Sequence, residues 1–203
     1  MNVKSLVKRN YKKQPEIDFP DYKSSTFRAP KNKKISIPSN NSEIFGPIFN
    51  KKIIGKLDND LTLNFSKKKM SPLGHKIIVY GTVSDQFSNP IKGALIEIWQ
   101  ANAAGKYLHQ DDKNSAPIDP NFSGCGRSLT SSDGSYEFLT IQPGPYPYPN
   151  RGIEWRPMHI HFSIFGESFG QRLITQMYFE GDPLIKLCPC LLYTSPSPRD
   201  GLL

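Results

Sequence analysis

At 203 residues, 37% of them apolar, the chain has the size of one domain with an extended arm. It has neither a run of 18 apolar residues to span a membrane nor a leader-like apolar stretch, so a cytoplasmic location is expected. Three cysteines, Cys125, Cys188 and Cys190, exclude an even disulfide framework, and the Cys-Pro-Cys pair lacks the second pair of a thiolate metal site. The net charge of +8 is concentrated at one end: residues 1–70 carry 16 Lys and Arg against 6 Asp and Glu, the remainder 10 against 12. Without a helix pattern or aromatic platform this end does not resemble a nucleic-acid reader, and solvation or attraction of anionic aromatic acids is expected instead.

In chain order, residues 1–16 are polar, basic and aperiodic, an arm. Residues 19–40 are interrupted by prolines and are expected as extended coil rather than helix. Ser42 caps a short helical pattern that Gly46 and Pro47 end. Residues 61–76 are expected as a loop, their three consecutive lysines a solvated face. A β-branched run at 76–85, a turn at 86–93 and an alternating run at 94–101 predict a strand and its returning partner. About 25 residues of loop follow, a length that is usually functional. Residues 126–141 predict a hairpin around Ser132-Asp133-Gly134, residues 143–150 a stiff proline loop, and residues 171–179 a further strand. Many short strands without intervening helices predict an antiparallel β-sandwich. The organisation expected is 1–70 arm and wrapping segment, 71–189 core, 190–203 tail.

Met158, Ile160 and Phe162 alternate with His159, His161 and Ser163, the period of a strand. Both histidines therefore project to one face, roughly 7 Å apart along the backbone. Taken alone they are either two half-buried histidines or one pair of metal donors. Tyr107, in a Gly-containing loop, and Tyr146 and Tyr148, in the proline-rich stretch, are by themselves packing residues with a polar tip.

The segments WQANAAGKYLH, DPNFSGCGR, TSSDGSYEF, PGPYPY, WRPMHIHFS and LITQMYFEGDPL stand in the order and spacing of the intradiol ring-cleavage dioxygenases. The resemblance runs from about residue 19 to 188. It implies a non-haem Fe(III) held by Tyr107, Tyr146, His159 and His161, and cleavage by O2 of a protocatechuate-like catecholic acid between its two hydroxyl-bearing carbons. Anionic phenolates suit a hard trivalent ion, and imidazole also binds iron well. The resemblance further implies that Tyr146 leaves the metal and accepts a proton while Tyr107 stays. Arg156 is the implied stabiliser of a carbanion-like ring carbon, and Gln176 lies on the O2 side. Tyr22, Arg28, Trp99 and Tyr148 line the substrate, although position 148 is commonly tryptophan in this branch. The branch most resembled is the two-chain one, in which an α subunit supplies the carboxylate-binding arginine. Catechol- or hydroxyquinol-cutting relatives usually carry a helical dimerisation region, a pattern that the first 70 residues lack. A non-catalytic sandwich module is the other alternative, against which the retention of all four donors argues. Residues 191–203, LLYTSPSPRDGLL, depart from the family and are expected to be foreign or frame-shifted sequence.

Overall fold

A computed structural model describes residues 20–29, 31–32, 54–66, 70–149, 153–166, 172–188 and 191. The basic arm at 1–16, the helical pattern after Ser42, the lysine run and all of the 190–203 tail except Leu191 lie outside the described residues. Eight strands are formed among those described: β1 Lys76–Thr82, β2 Leu95–Gln100, β3 Cys125–Leu129, β4 Ser135–Ile141, β5 Tyr146–Pro149, β6 Ile153–Arg156, β7 His159–Phe165 and β8 Arg172–Tyr178. All pair antiparallel, in a four-stranded sheet ordered β3-β2-β7-β8, a two-stranded sheet β1-β4 and a ribbon β5-β6. A five-residue 3-10 turn, Pro183–Leu187, follows β8.

The core lies between the two larger sheets. Val79 and Phe138 from β1 and β4 meet Ile96, Ile98, Ile160 and Phe162 from β2 and β7. This packing corrects two expectations. Neither the turn after β1 nor Ser132-Asp133-Gly134 closes a hairpin, because β1 pairs with β4 while β2 pairs with β3 and β7. The chain changes sheet at both turns, so that each strand's apolar face is covered by the opposite layer. Gln100, 2% exposed, joins the layers: its Nε2 donates to the Ile141 carbonyl at 2.7 Å and its Oε1 accepts from Thr140 Oγ1 at 2.8 Å. Two such bonds make a buried amide tolerable.

Three other segments differ from the sequence reading. Lys23–Arg28 is a helix, α1, not extended coil. No proline interrupts these six residues, and Ser25 N–H and Oγ both bond back to the Tyr22 carbonyl. The proline stretch is a strand. Pro147 and Pro149 sit at alternate positions of β5, so the missing N–H groups fall where the ladder with β6 needs no donor. In the expected loop at 61–76, Leu61 is fully buried in the core and its N–H bonds to the Leu139 carbonyl of β4 at 2.8 Å.

The register of the four-stranded sheet decides what faces outward. Trp99 on β2 lies opposite His161 on β7, Gln176 on β8 lies opposite His161 on its other side, and Tyr178 lies opposite His159. Cross-strand neighbours of this kind share a face. The face away from the core thus gathers two imidazoles, an indole, an amide and a phenol.

Candidate metal centre

Two loops bring phenols to this face. The turn after β2 is organised by Asn102, whose Oδ1 accepts from the Ala104 and Lys106 N–H groups at 2.9 and 3.0 Å and whose Nδ2 donates to the Pro117 carbonyl at 2.9 Å. Lys106, 7% exposed, turns its ammonium inward to the carbonyls of Asp112 and Asn114 and to Asp112 Oδ1 at 3.3 Å. Asp112 Oδ2 in turn accepts from the Tyr107 N–H at 2.8 Å. A buried ion pair therefore anchors the residue that presents the first phenol.

The second phenol, Tyr146, is locked to the first through glycines. Gly105 has φ +76°, and a Cβ there would lie 2.1 Å from the Pro145 carbonyl oxygen. A Cβ on Gly144 would lie 2.5 Å from the Ala103 carbonyl oxygen, and the Gly144 N–H bonds to the Asn102 carbonyl at 2.9 Å. Only residues without side chains allow the loops this approach. The Tyr107 and Tyr146 rings meet edge to face, 5.1 Å between centroids.

His159 is 3% exposed. Its Nδ1 lies 2.7 Å from the Pro157 carbonyl, which can only accept, so Nδ1 carries the proton and Nε2 presents a lone pair. Tyr107 Oη lies 3.2 Å from that Nε2 and donates to it. The His161 ring stacks on Trp99 at 4.7 Å with an interplanar angle of 2° and stands 4.9 Å from the His159 ring. Burial pushes both histidines down, His159 to about 4 with help from Arg156, and His161 to about 3 with help from His159 and Arg156. Burial also pushes the Tyr107 phenol well above its ordinary value, and burial together with Asp112 raises Tyr146. At neutral pH the four side chains are uncharged.

This donor set fits a strongly Lewis-acidic ion. The imidazoles offer lone pairs with no proton to lose, one fixed in tautomer by a backbone carbonyl, as metal-binding histidines usually are. The phenols give up their protons only to a cation that stabilises phenolate strongly. Among the described residues no three or more His, Cys, Asp and Glu side chains cluster, so an ion here depends on the tyrosines.

Of the other predicted residues, Arg156 sits at the end of β6 opposite Tyr146. Its Nη2 donates to Gln176 Oε1 and, at 2.9 Å, to Tyr178 Oη. Gln176 is thus beside Arg156. Tyr148 Oη donates to Glu154 Oε2 at 2.9 Å, and Tyr22 packs edge-on against the Tyr148 ring at 6.4 Å. This pair sits two residues along β5 from Tyr146. Arg28 ends α1, and its side chain lies outside the described residues. Trp99 also borders a cleft of about 470 Å³ lined by Asp58, Asn64, Glu97, Cys125 and Arg127. Sequence reasoning missed Lys106, Asp112 and Tyr178. Only Tyr178 carried a usable signal, its place two residues from Gln176 on a predicted strand.

A family model described as "Dioxygenase" matches residues 44–202, and one described as "Protocatechuate 3,4-dioxygenase beta subunit N terminal" matches residues 7–40. The protocatechuate 3,4-dioxygenase beta chain of Burkholderia cepacia is 46% identical over 98% of this chain and 84% of its own length. Catechol 1,2-dioxygenase 1 of Acinetobacter lwoffii is 37% identical, over 54% of this chain and 37% of its own. Among solved structures, 3-chlorocatechol 1,2-dioxygenase of Rhodococcus opacus 1CP is similar with a TM-score of 0.52 and 28% identity, over 72% of this chain and 59% of that one. Fold, family models and a relative matched along most of both chains agree: the chain belongs to the intradiol dioxygenase family, in its protocatechuate 3,4-dioxygenase beta-chain branch.

Proposed function

We propose that this chain is the iron-bearing subunit of an enzyme that cleaves protocatechuate with O2 to 3-carboxy-cis,cis-muconate, a step in the breakdown of aromatic compounds. The observation that carries the reading is the convergence of Tyr107, Tyr146, His159 and His161, with an unprotonated Nε2 on His159 aimed at the Tyr107 hydroxyl. These four residues would hold a ferric ion. Once bound, that ion would supply the Lewis acidity that binds a catecholate and opens its ring to attack by O2.

The chain's own residues have distinct tasks. Tyr107, braced through its N–H by Asp112, would be the fixed phenolate donor to the ion. Tyr146 Oη would be the exchangeable donor, and it takes up a substrate hydroxyl proton. Burial, and with it the nearby Asp112 carboxylate, raises the Tyr146 pKa and favours that protonated state. Arg156 offers a cation to negative charge developing on the ring, held in place by Gln176. Trp99 excludes water from one face of His161. The substrate's carboxylate is assigned to an arginine of an α partner, a role for which the beta-chain branch is the support. A cytoplasmic location fits the unpaired, exposed thiol of Cys125.

The test is co-expression with an α partner, then measurement of iron content, visible absorption and O2 uptake with protocatechuate. A red-brown, iron-containing protein with protocatechuate-dependent O2 uptake is expected, with the chain alone turning over poorly. A colourless protein with stoichiometric zinc would overturn the metal assignment. Full turnover by the isolated chain would overturn the two-chain reading.

A further inference from the structure

We infer that Tyr178 is a positioning residue of this site: its hydroxyl closes a three-membered hydrogen-bond ring that sets both the Arg156 guanidinium and the direction of the Gln176 amide. The inference rests on the functional reading above and adds a residue that it did not need.

The ring is defined by donor chemistry. Arginine has only donors, so the Gln176 atom that Arg156 Nη2 meets must be Oε1. Tyr178 Oη accepts from the same Nη2 at 2.9 Å, and having accepted there it donates to Gln176 Oε1 at 2.6 Å. Each polar group thus has one geometry that satisfies all three. With Oε1 taken by two donors, the Gln176 amide cannot flip without facing Nε2 to a guanidinium, donor against donor. Nε2 meets no acceptor among the described residues.

The sheet makes this arrangement stiff. Gln176 and Tyr178 are i and i+2 on β8, on one face, and pair across the ladder with His161 and His159. The Tyr178 ring packs against His159 at 5.8 Å between centroids. One side chain therefore touches a candidate metal donor through its ring and two pocket residues through its hydroxyl. Removal of the hydroxyl alone separates these contacts.

The experiment compares wild type, Tyr178→Phe, Gln176→Ala and the double variant, each as the full chain co-expressed with an α partner. Phenylalanine keeps the ring against His159, so iron content and visible absorption should stay at the wild-type level. Loss of a hydrogen bond involving a charged group predicts roughly a tenfold lower kcat with KM within about twofold. In the Gln176→Ala background the same change should cost measurably less, because of the hydroxyl's two bonds only the one to Arg156 remains to be lost. An equal loss in both backgrounds would overturn the inference.

A second measurement needs neither metal nor turnover. In metal-free, isotope-labelled full chain, the side-chain amide of Gln176 should be as ordered as its backbone, and Tyr178→Phe should move it toward the mobility of a free glutamine. Unchanged order in that variant overturns the inference. If wild type binds no iron and is inactive, the functional reading fails, while the amide measurement still decides the role of Tyr178.

Discussion

The interlocked loops make a sharp prediction for Gly105→Ala. An alanine at φ +76° costs about 1–2 kcal/mol of backbone strain. Its methyl group would also lie 2.1 Å from the Pro145 carbonyl oxygen, where contacts under 3.0 Å essentially never occur. The obstacle is backbone rather than a rotatable side chain, so the two loops must part by roughly 1 Å. Pro145 directly precedes Tyr146 and Gly105 lies two residues before Tyr107, so the shift separates the phenols. Misplacement by about 1 Å can cost on the order of a hundredfold in turnover. Gly93→Ala is the matched control, with φ +74° and nothing within 4 Å of its added methyl. It should lose only the strain, a fall in Tm of about 2–8 °C at the usual 2–4 °C per kcal/mol for a chain of this size. Gly105→Ala should fall further, lose visible absorption and lose turnover. Equal melting shifts in the two variants, with wild-type absorption in both, would refute the idea that the loops hold the phenols together.

Tyr146→Phe should bind iron and substrate yet lose about 100- to 10,000-fold in turnover, whereas Tyr107→Phe should weaken the visible band both with and without substrate; spectra and single-turnover kinetics on both variants distinguish the roles. Lys106→Met leaves the buried Asp112 carboxylate without its cation and should cost about 3–5 kcal/mol in urea unfolding; a loss under about 1 kcal/mol would show that the pair does not anchor the loop. The metal-free chain should lose stability on acidification. The histidines titrate near 6.5 when unfolded but at about 4 and about 3 when folded, so the unfolded state takes up protons first. Their contribution is fully present above pH 6.5 and is lost as pH falls to about 4 for His159 and about 3 for His161, with a slope of up to about 1.4 kcal/mol per pH unit for each histidine. Urea midpoints that stay flat between pH 7 and 4.5 would contradict their burial.

What could be read from the chain beforehand was whatever repeats locally. The alternation through His159, His161 and Ser163 identified a strand and its outward face. Ordered motifs identified the fold family, and with it the four residues that the structure gathers. Partner choice was not legible. The turns at 86–93 and 132–134 are good local turns, but which strand lies beside which is decided by Val79, Phe138, Ile98 and Phe162 finding one another across the core. The β5-β6 ribbon was hidden for a similar reason. Prolines argue against a strand until the edge that carries them is known. Lys106 and Asp112 occupy an irregular loop, where no period marks a residue as buried. Their roles emerge only once the loop has folded back on itself.

The two faces of β7 carry a consequence for how the chain folds. Ile160 and Phe162 fill the core while His159 and His161 look away from it. A slip of one position against β2 or β8 would exchange the two sets. Two large apolar side chains would then be exposed, forfeiting roughly 1.5–3 kcal/mol each, and two imidazoles would be driven among Val79, Phe138 and their neighbours. No chain can therefore reach a sound core with its imidazoles misplaced. Hydrophobic collapse proofreads the donor geometry, and a substitution that tolerates slippage in β7 should produce misfolded protein rather than a well-folded chain with a defective site.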